Sequence, residues 1–95
     1  MRLRLTPQAQ SDVEAIAAYL EARNPRGARH VETAIQAALV LIGRYPEIGP
    51  MGRRRVRRFA LPRYPYLIFY RLDASADAIA ILAIRHASRK PGGLS

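Results

Sequence analysis

Residues 63–72 read RYPYLIFYRL, and between Tyr66 and Leu72 only Arg71 is neither apolar nor aromatic. A run this short and this rich in β-formers is too brief for an ordinary helix and reads as a strand. Alternation puts Tyr66, Ile68, Tyr70 and Leu72 on one face and Leu67 and Phe69 on the other. A strand apolar on both faces belongs inside a sheet, covered at least partly on both sides. Pro65 has no N–H to give a ladder, so pairing should begin after it. Arg71 breaks the second face, and a lone charge on such a strand needs an anionic partner or an exit to solvent.

The rest of the chain falls into place around this strand. Residues 2–5 alternate Arg and Leu (RLRL), as in a short half-buried strand. Thr6-Pro7 pairs a hydroxyl cap with proline at the first helical position. A stripe of Ala9, Val13, Ile16, Ala17 and Leu20 follows at helical spacing, with Asp12, Glu14 and Glu21 off it, and this helix should end near Arg23. Asn24-Pro25 repeats the start signal. The second stripe is Ala28, Val31, Ile35, Ala38, Leu39 and Ile42, ending around 43–45 before Pro46. With almost no loop between them, the helices should form an antiparallel hairpin. Tyr19 and Tyr45 read as helix packing. PEIGPMG, residues 46–52, is a loop whose spacing matches no phosphate-cradling motif. A strand is expected from about Val56 to Leu61, a turn at Pro62-Arg63, a hairpin turn over 73–77, and a last strand over 78–85. The order strand, helix, helix, strand, strand, strand gives an α+β domain: an N-terminal strand, a helix hairpin, and a three-stranded antiparallel meander in two layers. The 95 residues make one domain, with a fraying tail from about 87 to 95.

Charge is distributed unevenly. Residues 1–50 hold six Arg and five acidic residues, whereas residues 51–95 hold ten Arg or Lys and only Asp73 and Asp77. A basic field confined to one half points to an anionic partner, either nucleic acid or an acidic protein segment. Fifteen of the sixteen cations are Arg, the residue suited to bidentate phosphate or carboxylate contacts. The absence of Cys removes disulfides, a thiolate nucleophile and Cys-based zinc sites. No metal or cofactor is expected. Neither a signal peptide nor a membrane span is legible, so the expected location is the cytoplasm.

Four stretches together resemble the ParE/RelE superfamily of bacterial toxins from type II toxin–antitoxin pairs. LTPQAQSDVEAIAAYL is similar to that family's first helix, and NPRGARHVETAIQAALVLIGRYPEIG to its second helix and the Pro-x-Ile-Gly that follows. RRFALPRYPYLIFYRLD resembles its meander, and AIAILAIRHASRKP its last strand and the RHGxRxP-like tail of the ParE branch. The resemblance runs from about Leu3 to Pro91. It implies the fold already derived, and a toxin held inactive by a cognate antitoxin whose extended C-terminal segment wraps it. RelE-like members cut messenger RNA on the ribosome; ParE-like members inhibit DNA gyrase.

Chemistry separates the branches. RNA cleavage through the 2′-OH needs a base, an acid for the leaving oxygen, and cations for the phosphate. Cations abound, but His86 and Glu47 are the acid–base candidates. Ribosome-dependent relatives carry a Tyr or His in the tail, and here the tail after His86 is ASRKPGGLS. That departure favours a gyrase-inhibiting toxin over an mRNA endoribonuclease using His86, Arg71 and Arg85. A non-toxic basic nucleic-acid-binding domain is the third reading. On the favoured reading, Arg71, Arg85, His86, Arg89 and Lys90 form the toxic surface. The antitoxin is expected to be acidic and partly disordered. Its dock is expected between hairpin and sheet, at Leu5, Val13, Leu20, Leu39, Val56, Arg57, Arg58 and Phe59, with strand addition as one available mode. His86 has a competing reading as a structural histidine bonded to backbone, and His30 reads as solvated or packing. Tyr66 and Tyr70 read as core or antitoxin-facing residues.

Overall fold

The computed structural model describes residues 1–88, so Arg89, Lys90 and most of the expected tail lie outside the described residues. Strand β1 spans Arg2–Leu5, helix α1 Pro7–Arg23 and helix α2 Pro25–Arg44. Strands β2 (Arg57–Ala60), β3 (Tyr66–Asp73) and β4 (Ala78–His86) follow. They make a four-stranded sheet in the order β1-β4-β3-β2. The meander β2-β3-β4 is antiparallel, and β1 closes it by pairing parallel to β4.

The helix boundaries follow from their caps. Thr6 Oγ1 accepts from the Ala9 N–H at 3.2 Å, with Pro7 at the first helical position. Asn24 ends α1 and starts α2: its N–H donates to Leu20 O at 2.6 Å, and its Oδ1 accepts from Gly27 N–H at 3.0 Å. One residue therefore terminates the first helix and caps the second, which leaves no room for a loop. The full expected stripe of α2, from Ala28 to Ile42, is buried. Burying each large aliphatic of that stripe contributes roughly 1.5–3 kcal/mol. On α1 only Ala9 is fully buried; Val13, Ile16 and Leu20 pack against the main core but stay half-exposed. Tyr19 and Tyr45 are 56% and 55% exposed, so neither is the packing residue expected of it. Tyr19 lies off the α1 stripe, and Tyr45 is the residue that caps the end of α2.

The strand Tyr66–Asp73 is internal, between β4 and β2. Tyr66, Ile68, Tyr70 and Leu72 face the helices in the main core, and Phe69 joins Val56 and Ala83 in a second, smaller cluster. Its ladder with β4 shifts between Phe69 and Tyr70: Phe69 lies opposite Ala83 and Tyr70 opposite Ile81. Leu82 is the extra residue of a bulge. The bulge lets Ile81 and Ile84, three positions apart, both reach the helix-side core.

The loop after α2 is fastened from beneath. The Tyr70 hydroxyl donates to Pro46 O at 2.8 Å and accepts from Gly49 N–H at 2.9 Å. Arg57 Nη1 donates to Gly49 O at 2.8 Å and to Glu47 O at 3.2 Å. Gly49 is required here by close approach, since a Cβ would stand 2.8 Å from Arg58 O and 3.0 Å from the Tyr70 hydroxyl.

Candidate functional site

Beyond Leu5 the chain leaves the sheet, and the start of α1 takes β1's place beside the second half of β4. Thr6 Oγ1 donates to Ile81 O at 2.8 Å, and Asp12 Oδ2 accepts from Ile84 N–H at 2.9 Å. Thr6 N–H also donates to Ile81 O at 3.0 Å, so the hydroxyl adds a second donor there, while Asp12 satisfies an N–H that a longer β1 could have paired. The substitution opens a groove of about 790 Å³ between α1, β4 and the turn before β3. Its floor is apolar: Ile16, Leu20, Val31 and Ile84. Tyr19, Tyr64 and Tyr66 wall it, and Asp12, Arg85, His86 and Ser88 give it polar atoms.

The polar set is arranged for binding. Arg85 Nε lies 4.0 Å from Asp12 Oδ2, too far for a hydrogen bond, and among the described residues this buried Nε has no hydrogen-bond partner. That Nε is buried, so an incoming acceptor would meet the exposed part of the guanidinium, on a side chain 31% exposed. His86 meets the edge of the Tyr66 ring, with centroids 5.4 Å apart at 78°. Its Nδ1 accepts from Ser88 N–H at 3.1 Å and lies 2.7 Å from Ser88 Oγ. That backbone bond makes Nδ1 the acceptor and gives the ring proton to Nε2. Burial, and secondarily the Tyr19 phenol, push the Tyr66 phenol above its ordinary value, so Tyr66 offers a neutral O–H. Tyr19 is itself held by Arg23, whose guanidinium carbon sits 3.8 Å above the ring centre.

The structure divides the expected toxic surface. Arg85 and His86 lie opposite Leu67 and Tyr66, whereas Arg71 lies opposite Ala80. Four residues of β3 separate them, roughly 13 Å at 3.3 Å per residue. Arg71 resolves its apolar strand by the solvent route: it is exposed on the face away from the helices.

The expected antitoxin dock is also divided. Leu5, Val13, Leu20 and Phe59 are half-buried against the main core, and Leu39 is buried within it. Val56 belongs to the cluster on the other face, Arg58 is exposed, and Arg57 is committed to Glu47 O and Gly49 O. These eight residues do not line one groove, because strand alternation sends them to opposite faces. Asp12, Tyr19, Tyr64 and Tyr66 line the real groove. In sequence Asp12 stands only as an acid off the α1 stripe, and the long-range contact with β4 reveals its use. Tyr70 is a buried loop anchor, His30 is exposed, and Glu47 stands exposed in the loop.

A second unusual feature lies before β2. Residues Arg53–Arg55 form a single turn in which Arg54 (φ 58°, ψ 28°) and Arg55 (φ 60°) are both left-handed. The bonds Gly52 N–H to Val56 O (2.7 Å) and Val56 N–H to Arg53 O (3.1 Å) clamp it. Left-handed backbone costs an L-residue with a Cβ about 1–2 kcal/mol, so two in succession are expensive.

With this geometry in hand, comparison with known proteins is decisive at the level of family. The model of the ParE toxin of the type II toxin–antitoxin system parDE matches residues 3–91. The chain belongs to the ParE toxin family. One relative is the Sinorhizobium fredii protein named Putative toxin Y4kP, 32% identical over 90 residues, covering 94% of this chain and 91% of that protein. Among solved structures, the chromosomal ParDE TA system from P. aeruginosa superposes with a TM-score of 0.80 at 23% identity, covering 93% of this chain and 97% of that one. The isolated E. coli RelE toxin gives 0.70 at 14% identity, with 95% and 87% covered. The Mycobacterium tuberculosis toxin–antitoxin complex RelBE2 gives 0.60 at 24% identity, with 90% and 95% covered. At these identities the structural likeness establishes the fold: the ParE-family chain has the two-helix, four-strand architecture of these toxins. Among the described residues no helix is long and apolar enough to cross a membrane.

Proposed function

We propose that this chain is the toxin of a type II pair that arrests growth by binding DNA gyrase, and that a cognate antitoxin neutralises it by occupying the groove beside α1. The observation that carries this reading is the ParE family match over residues 3–91. The TM-score of 0.80 to the ParDE structure, above the values for RelE and RelBE2, points the same way. The groove fits an antitoxin segment of mixed character: its floor takes aliphatic side chains, and the part-exposed Arg85 guanidinium offers charge to a carboxylate. Occupying it covers Arg85 and His86, which line the groove and which this reading assigns to the toxic surface. Arg89 and Lys90 follow directly in sequence and extend the same basic segment.

The test is a supercoiling assay with purified gyrase, toxin and the antitoxin encoded beside it. The expected result is loss of supercoiling with accumulation of cleaved DNA, reversed by the antitoxin and lost in the Arg85→Ala/His86→Ala variant. Unaffected gyrase refutes the reading. A second reading, ribosome-dependent mRNA cleavage, is supported by one arrangement: His86, the acid–base candidate, sits beside Arg85, a cation suited to phosphate, and both line the groove. It predicts cleaved transcripts on translating ribosomes, and intact transcripts during induced arrest dismiss it.

A further inference from the structure

The gyrase reading gives no work to Ser88, yet the structure places its hydroxyl 2.7 Å from His86 Nδ1. Ser88 N–H donates to the same nitrogen at 3.1 Å, so Nδ1 presents its lone pair and the hydroxyl hydrogen is directed at it. A hydroxyl and a base within hydrogen-bond reach, with the base oriented by a third group, are what nucleophilic catalysis requires. Here the orienting group is a ring: Tyr66 meets His86 edge-on, with centroids 5.4 Å apart. The backbone between the pair is also tied down, because Ala87 donates its N–H to Pro65 O at 2.7 Å. Hydroxyl and imidazole are therefore held together by the turn before β3 as well as by each other.

The surroundings decide what such a hydroxyl would attack. His86 and Ser88 line a groove of about 790 Å³, within the range of small-molecule sites. Its floor of Ile16, Leu20, Val31 and Ile84 favours an aliphatic chain over water. Arg85 lines the same groove with a side chain 31% exposed, and supplies positive charge to a carbonyl oxygen that gains negative charge. Ser88 is exposed, so its oxygen is open to a reactant on the side away from the imidazole. Burial keeps the neighbouring Tyr66 phenol protonated, which leaves Ser88 as the hydroxyl paired with a base.

We propose that Ser88 is a nucleophile that takes an aliphatic acyl group from an ester, with His86 as its general base and the groove floor as the site of the acyl chain. Ser88 Oγ forms a bond to the carbonyl carbon, and its proton passes to His86 Nδ1. The bond from that carbon to the leaving oxygen then breaks, and the leaving oxygen takes the proton from Nδ1. The products are acyl-Ser88 and the free alcohol. The reaction is read without gyrase and without antitoxin, so this proposal and the gyrase reading fail separately.

The test mixes the full chain with p-nitrophenyl hexanoate or p-nitrophenyl acetate and follows release of p-nitrophenolate, with peptide mass mapping of the product. Wild type should give a saturable burst of about one equivalent per chain, and the hexanoyl group should map to Ser88. Half-saturation should come at a roughly tenfold or more lower concentration for the hexanoate, whose additional methylenes enter the floor. Ser88→Ala should abolish the burst and the label. His86→Ala should slow acylation by about a hundredfold and remove the rise of rate with pH that wild type shows as the imidazole loses its proton. Ser11→Ala deletes another exposed hydroxyl, on α1, and should react as wild type does. The proposal is overturned if the label sits on a tyrosine, a lysine or the N-terminal amine, if Ser88→Ala reacts as fast as wild type, or if the two esters saturate alike. Melting curves establish that each variant is folded, and Ser88→Thr, which keeps a hydroxyl at the position, should retain the label.

Discussion

Removing one oxygen should loosen a whole loop. Tyr70 is fully buried, and its hydroxyl both donates to Pro46 O at 2.8 Å and accepts from Gly49 N–H at 2.9 Å. Tyr70→Phe keeps the ring and its packing but strands a buried N–H and a carbonyl. A typical hydrogen bond contributes about 0.5–1.5 kcal/mol net, and a buried group left unpaired costs about 1–3 kcal/mol. The two lost bonds together give an expected destabilisation of about 2–3 kcal/mol. In a domain of this size 1 kcal/mol moves Tm by about 4–8 °C, so Tm should fall by roughly 8–24 °C. Urea melts followed by far-UV circular dichroism measure it, with an unchanged m-value showing that the unfolded state is not the cause. Gly49→Ala attacks the same contact from the other side, since its Cβ would press on Arg58 O and on the Tyr70 hydroxyl. Because both changes act on one contact, the double variant should cost less than the two single costs added. A Tyr70→Phe chain that melts within about 2 °C of wild type would refute the anchor, given the scale of 4–8 °C per kcal/mol.

Other perturbations test the junction between helix and sheet. Asp12→Ala removes the acceptor of Ile84 N–H and the carboxylate nearest Arg85; it should cost about 1–2 kcal/mol and lower Tm accordingly. Thr6→Ala removes both the cap of α1 and the hydroxyl bonded to Ile81 O, and should cost about 1–2 kcal/mol in a urea melt. The Asp73 carboxyl is held below its ordinary value by the Ser75 hydroxyl first, then by the Ala76 N–H, with Arg4 adding to both. Its folded form therefore binds a proton less readily than the unfolded chain. The stability it contributes is present above the unfolded carboxyl range near pH 4 and is lost as pH falls through the folded value. Asp73→Asn should flatten the acid limb of Tm against pH and leave the neutral limb in place.

What the sequence revealed and what it hid divide along contact range. Caps and stripes are local, so Thr6-Pro7, Asn24-Pro25 and the α2 stripe from Ala28 to Ile42 were legible, as was the two-faced strand from Tyr66. The parallel pairing of β1 with β4 joins residues more than seventy positions apart, such as Arg2 and Ala78, and no local signal encodes it. The bulge at Leu82 was hidden too, because AIAILAIR is apolar on both faces and alternation cannot show a slip within it. The use of Asp12 was hidden for the same reason: its partner is the Ile84 N–H. Arg71's exit to solvent was one of two outcomes its strand allowed. Its distance from Arg85 and His86 depended on register, which the sequence left open.

That register also decides where the groove opens beside the sheet. Strand β1 is only four residues long, so it covers β4 from Ala78 to Ile81 and no further. Beyond that point β4 would present bare backbone, and the first turns of α1 cover it through Thr6 and Asp12. Because a helix and not a strand stands there, side chains of α1 are lifted off the sheet, and the space beneath Ile16 and Leu20 becomes the groove with Arg85 and His86 at its mouth. At the other end β1, β4 and β3 stay paired, and Arg4, Ala80 and Arg71 stand in one row on the helix-free face. A longer β1 would pair the backbone now capped by α1 and close the groove, but would leave this row unchanged. Arg85, opposite Leu67, starts from that same face as Arg71 and reaches Asp12 of α1 only because no strand covers β4 there, so the short β1 is what lets a basic residue of the helix-free face line the groove.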